Sequence, residues 1–303
     1  MISNAERLGL NYLKVRGFRS RHLSTRAGKL HVIEGEGRGH LPPVVLLHGL
    51  SANGISFHDL MLRLRPHASR VIAPDLPGHG FSDTPSEGLD TDAMNQALFD
   101  VLDRVIDEPA VVVGTSMGGM AAARYSARRS NKVAGLVLVS PGGAPMFGEE
   151  LDRFLDTFRI DDHAGALEFV DKVFARPPRL LRPWLARGVK QKFSNRNLRR
   201  LINEVRGEDL LSPTELAALE MPVLMLWGRE EKILPESVYD FYRSHLPEHA
   251  QIERWSNFGH IGFLEQSAAL TRRLLAFAEA AQREPARGVL RITPSDVTLA
   301  ASA

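Results

Sequence analysis

Five short apolar runs constrain this chain most, because each is brief and each stops at glycine or proline. They are Pro43-Val44-Val45-Leu46-Leu47 before His48-Gly49, Val71-Ile72-Ala73 before Pro74-Asp75, Ala110-Val111-Val112-Val113 before Gly114, Val133 to Val139 before Ser140-Pro141-Gly142-Gly143, and Pro222-Val223-Leu224-Met225-Leu226-Trp227 before Gly228. A strand with one wet face alternates polar and apolar residues. These runs do not alternate, so both faces must be covered. Helical patterns separate them, at about 54–64, 91–106, 117–128, 235–245 and 261–281. Alternation of this kind predicts an α/β fold, a mostly parallel sheet with helices on both faces. Residues 18–25 and 29–34 flank Ala27-Gly28 and predict an antiparallel hairpin at the sheet edge.

One stretch breaks the rhythm. From about Gly143 to Glu220 there is no strand-like run, only helical patterns such as 149–158 and 164–174. An insertion of helices there would cap the sheet's C-terminal edge, where ligands bind in open α/β sheets. The expected organisation is a core of residues 18–142 and 220–281, a helical cap of 143–219 after the sixth strand, and a flexible tail over 283–303.

At 303 residues, 44% hydrophobic and 24% charged, the chain can bury a sizeable core, and its formal charge of +2 is too balanced to argue for nucleic acid. With no cysteine, disulfides, thiolate metal sites and a cysteine nucleophile are excluded. No basic leader with an apolar segment and no uncharged apolar stretch of membrane-spanning length is apparent, so a cytoplasmic enzyme is the default expectation. The charge is uneven, however. Between Lys172 and Glu204 no acidic residue occurs, whereas Arg176, Arg179, Arg182, Arg187, Lys190, Lys192, Arg196, Arg199 and Arg200 all do. A solvated helical face is the plain explanation. The sharper one is a basic surface bearing Leu180, Leu181, Trp184, Leu185 and Phe193 that meets anionic lipid or an acidic substrate.

The chemistry is concentrated in Gly114-Thr115-Ser116-Met117-Gly118-Gly119, which fits G-x-S-x-G between a buried strand and a helical pattern. A sharp strand-to-helix turn forces the serine into a strained conformation and projects its hydroxyl at the sheet edge. The new helix aims its N–H groups and positive end at the same place, which favours an oxyanion. Serine needs a base, and His260 in Phe258-Gly259-His260 is favoured because it comes last in chain order, matching the Ser, acid, His order of folds that carry such an elbow. His48 and His79, in glycine-containing loops upstream, are read as structural hydrogen-bonding residues. The base needs a carboxylate. Glu230 and Glu231 both follow the Trp227-Gly228 turn, and Glu231 is preferred because it lies three residues beyond the glycine. Oxyanion donors are expected from the N–H groups of Met117 and Leu50.

Four blocks carry a resemblance to the α/β-hydrolase superfamily: His48-Gly49-Leu50, Asp75-Leu76-Pro77-Gly78-His79-Gly80-Phe81-Ser82, the Ser116 elbow, and Gly259-His260. The likeness covers residues 18–281. Within the superfamily the chain is similar to capped esterases and lipases of the monoacylglycerol-lipase-like branch, through His48-Gly49-Leu50-Ser51-Ala52-Asn53, Thr115-Ser116-Met117-Gly118-Gly119 and Ser140-Pro141-Gly142-Gly143. The resemblance implies structural roles for Asp75 and His79, and an acid that is usually Asp where Glu231 stands. It implies a serine ester hydrolase acting on a small-molecule acyl ester through Ser116, Glu231 and His260, with Met146, Phe147, Phe154, Phe158, Phe169 and Phe174 of the cap lining an acyl pocket. A C–C bond hydrolase of meta-cleavage type, with Arg124 or a cap arginine holding a substrate carboxylate, is the alternative. A non-catalytic ligand-binding member of the fold is another, kept open by the glutamate. No metal or organic cofactor is expected, and oligomeric state is left open.

Overall fold

The apolar runs pair into one sheet. The computed structural model describes residues 2–84 and 91–283. In chain order it contains α1 (Asn4–Val15), β1 (Arg19–Thr25), β2 (Gly28–Glu36), β3 (Val44–Leu47), a 3-10 turn (Gly54–Phe57) leading into α2 (His58–Leu64), β4 (Arg70–Pro74), α3 (Thr91–Val105), β5 (Ala110–Ser116), α4 (Met117–Arg128) and β6 (Val133–Pro141). There follow α5 (Gly148–Asp156), α6 (His163–Val173), α7 (Arg182–Phe193), α8 (Arg196–Glu204), α9 (Pro213–Ala217), β7 (Val223–Gly228), α10 (Glu236–His245), β8 (Gln251–Trp255), α11 (Gly262–Glu265) and α12 (Ser267–Arg283). Among the described residues the eight-stranded sheet has the order β1-β2-β4-β3-β5-β6-β7-β8. β1 and β2 form the expected antiparallel hairpin at one edge, β2 runs antiparallel to β4, and every later pairing is parallel.

The missing alternation now has its explanation. Successive residues of each inner strand enter different cores: Val45, Leu47, Val112 and Met225 pack toward α3, α4 and α10, and Val44, Leu46, Val113 and Leu224 toward α1, α2 and α12. β3 and β7 are buried at every position, whereas the edge strand β1 has no fully buried residue. This is the α/β-hydrolase architecture expected from the sequence, with the helical insertion leaving after β6. Its helices build a cluster of their own around Phe158, Val170, Ala186, Phe193 and Ile202. Leu211, Leu216 and Leu219, inside the span expected for the cap, instead pack with the core cluster on the sheet.

Three local expectations change. α1 lies ahead of the expected core, yet Leu10 and Leu13 are buried in it. A capping box starts the helix: Glu6 N–H donates to Ser3 Oγ at 3.2 Å, and Ser3 N–H donates to Glu6 Oε2 at 2.7 Å. The segment 261–281 is two helices, α11 and α12, broken at Gln266, whose side chain donates to the Ser256 and Asn257 carbonyls, both at 2.7 Å. α12 runs through Arg283, where the tail was expected to begin; the rest of that expected tail lies outside the described residues.

Candidate active site

Ser116 stands where β5 meets α4, at φ 52° and ψ −124°, a region that L-residues seldom occupy. Such a conformation costs of order 1–3 kcal/mol and persists only where packing enforces it. Here the helix is pressed against the strands: a side chain at Gly118 would run into the Leu47 and His48 carbonyls. Among the described residues no hydrogen bond engages the Ser116 hydroxyl, and Ser116 lines two cavities. α4 begins at Met117, so its first N–H groups have no partners within the helix and point to the same place.

The loop after β3 passes over the serine. A Cβ at Gly49 would stand 3.0 Å from Ser116 Cβ, tighter than an ordinary contact, so a side chain there would press on the serine. Leu50 follows and lines both cavities. His48 fixes the loop from beneath. It is fully buried, accepts from the Leu76 N–H through Nε2 at 2.9 Å, and donates from Nδ1 to the Gly49 carbonyl at 2.8 Å. Burial, together with neighbouring His79, pushes His48 down to about 3, so it stays neutral. His79 is also buried, and burial lowers its pKa; its Nδ1 donates to the Pro77 carbonyl at 2.9 Å. Neither histidine lines a cavity with His260, and both hold loops as expected. Asp75 accepts from the Gly54 and Phe81 N–H groups at 2.6 and 2.8 Å and pairs with His31 at 2.8 Å, a partner the sequence did not suggest.

His260 and Ser116 line the larger cavity together. His260 Nδ1 lies 2.9 Å from Glu231 Oε2. The other carboxylate oxygen accepts the Ile233 and Leu234 N–H groups at 2.8 and 3.1 Å, which absorbs the extra methylene of glutamate by anchoring it to its own turn. Burial opposes the charge on Glu231, but His260 and the two backbone donors outweigh it and hold the carboxyl below its ordinary value. An ionised acceptor at Nδ1 keeps the proton there and leaves Nε2 free to accept. Glu230 faces elsewhere, accepting the Phe258 N–H at 3.1 Å.

Two further groups give no motif in the sequence. Glu265 accepts from Gly259 N–H at 3.0 Å with one oxygen and from Ala175 and Arg176 N–H at 2.9 and 3.2 Å with the other, joining the His260 loop to the cap. Lys192 of α7 donates to the Ser51 carbonyl at 2.9 Å and pairs with Glu6 of α1 at 3.1 Å. Ser51, at φ 61°, is thus held from the cap side.

The smaller cavity, about 110 Å³, runs under the cap between Leu76, Met94, Leu98, Met120 and Phe154. The larger, about 580 Å³, holds His260 and opens beside Phe169, Phe174 and Trp184. Of the cap residues expected in an acyl pocket, Phe154 and Phe158 line the smaller cavity, and Phe158, Phe169 and Phe174 the larger. Met146 is buried in the sheet's core cluster and Phe147 is exposed, so neither lines a cavity. Arg124 cannot serve a substrate carboxylate as arranged. It is buried, pairs with Glu215 at 2.7 Å and donates to the Asp209 and Leu210 carbonyls at 3.2 and 2.9 Å. Among the described residues no cluster of His, Asp or Glu is suited to a metal ion, and no helix is long and apolar enough to cross a membrane.

The chain is similar to known proteins. Residues 42–267 match the model of a family described as the alpha/beta hydrolase fold. The AB hydrolase superfamily protein YisY of Bacillus subtilis (strain 168) is 29% identical over 255 residues, covering 79% of this chain and 92% of its own. The monoacylglycerol lipase ABHD6 of Bos taurus is 23% identical over 259 residues, covering 79% and 76%. A solved membrane phospholipase A superposes with a TM-score of 0.78 at 22% identity, with 92% of each chain covered, a likeness of fold.

Proposed function

Since the chain belongs to the α/β-hydrolase family, we propose that it is a serine-dependent hydrolase of carboxylic esters, with Ser116 as nucleophile, His260 as base and Glu231 as the acid that orients it. The observation that carries this reading is the buried Glu231–His260 pair opening into the same cavity as a strained, unpartnered serine hydroxyl. Similarity to a named lipase supports an acyl ester as substrate.

In this reading Ser116 Oγ attacks the ester carbonyl while His260 Nε2 takes its proton. The N–H groups of Leu50 and Met117 hold the oxyanion, each such donor being worth roughly a hundred- to thousandfold in rate. Collapse of the adduct breaks the C–O bond, and His260 protonates the departing alcohol. Water, deprotonated by His260, then releases the acid. Proton delivery assigns the two cavities. The leaving alcohol must lie on the His260 side, in the larger cavity, so the acyl chain occupies the smaller one, whose wall includes Ser116 and Met117 but not His260.

The test is intact-mass analysis after a fluorophosphonate probe, beside turnover of p-nitrophenyl esters of graded acyl length. One probe adduct on the wild type, none on Ser116→Ala, and a fall in kcat of at least about a thousandfold are expected. Turnover should decline once the acyl chain outgrows the smaller cavity. An adduct that persists in Ser116→Ala would exclude this nucleophile.

A further inference from the structure

The rim of the larger cavity is apolar and projects into solvent. Leu180 is 96% exposed, Trp184 65%, Leu181 55% and Leu264 43%. Trp184 and Leu264 also line the cavity that holds Ser116 and His260, so the patch and the site share walls. Pro177, Pro178 and Pro183 restrict the backbone of this stretch, which lowers the ordering cost when it meets a partner. Exposed apolar side chains gathered in one place mark a surface that meets something.

The surrounding charge says what that is. Arg176, Arg179, Arg187 and Lys190 are exposed and form no ion pair among the described residues. Other cations of the same acid-free stretch are engaged: Arg182 by Asp171, Lys192 by Glu6, Arg199 by Asp161 and Arg200 by Glu204. Of the five unpaired cations of this stretch among the described residues, Arg196 opens α8, and the other four flank Leu180, Leu181 and Trp184 in the chain. Leucine and tryptophan side chains that protrude, bordered by free arginine and lysine, match the boundary between acyl chains and anionic headgroups.

We propose that this rim docks on a bilayer containing anionic phospholipid, with Leu180, Leu181 and Trp184 entering the headgroup layer and Arg176, Arg179, Arg187 and Lys190 meeting phosphates. The cavity mouth then faces the lipid, and an ester drawn from the membrane reaches Ser116 past Trp184 and Leu264. This last step rests on the esterase reading; the docking itself does not.

The experiment is sedimentation of the full chain with phosphatidylcholine vesicles, with and without phosphatidylglycerol. Leu180→Asp and the double variant Arg176→Ala/Arg179→Ala lie outside the cavity walls and should leave hydrolysis of soluble p-nitrophenyl esters unchanged. Binding is expected only with phosphatidylglycerol, decreasing with added salt. Each cation removed should weaken it about fivefold at low salt, and Leu180→Asp at least as much. Equal binding to both vesicle types, no binding, or binding indifferent to these substitutions would overturn the proposal. So would an apolar rim that proves to be a contact between two copies, seen as a dimer that Leu180→Asp dissociates without any vesicle binding. Vesicle binding without ester turnover would leave docking intact and count against the esterase reading alone.

Discussion

Two neighbouring glutamates occupy opposite positions in the proposed chemistry. Glu231 holds the imidazole proton at Nδ1 and draws two backbone donors, whereas Glu230 caps the Phe258 N–H. Glu231→Gln would present an amide to His260 and disturb the tautomer that leaves Nε2 as the base. Its kcat should fall by roughly a thousandfold or more, in line with the loss of an orienting acid. Glu230→Gln should change kcat by less than about tenfold, because only one N–H bond at the loop is weakened. Comparison of kcat on one soluble ester checks both. Equal losses would remove Glu231 from the role proposed for it.

Among the elements, those fixed by local rules could be read in advance. The inner strands declare themselves because burial on two faces suppresses alternation, and the Ser116 turn does so because its glycines are spaced within one motif. The features that escaped depend on contacts between distant segments. α1 has only Ser3-x-x-Glu6 to announce it. The division of the site into two cavities depends on how α3, α5 and α8 approach the sheet. The break at Gln266 has no local breaker residue; it turns the Glu265 carboxylate back toward Gly259 and the cap. Glu265→Gln removes one acceptor oxygen from three N–H donors. A loss of about 1.5–3 kcal/mol, the range for hydrogen bonds to a charged group, should appear in the urea midpoint. Faster amide exchange should be confined to Gly259, Ala175 and Arg176. Uniform acceleration across the sheet would mean that Glu265 acts on global stability alone.

For the whole molecule, the buried imidazole beneath the loop after β3 links folding to pH. His48 titrates at about 3 when folded, against an ordinary 6.5, so between those values the unfolded chain binds a proton that the folded chain refuses. Stability therefore falls as pH drops below 6.5, with a slope from this residue of at most about 1.4 kcal/mol per unit. Asp75 and Glu231, whose pKa values are lowered, add stability that is lost further down, as pH falls through their folded values. The urea midpoint should decline between about pH 7 and about pH 5, and His48→Asn should flatten that decline. An unchanged slope would show that His48 is not the coupled group. A different consequence follows from the carboxylate of Glu265. The cap is tied to the core at its two chain crossings and through side chains such as Lys192, and Glu265 adds a tie that ends on the neighbour of His260. A cap transplanted from a relative would bring its own equivalent of residues 175–176, and with it a new setting for His260. Exchanging caps to change substrate range would thus retune His260, the proposed base, in the same operation.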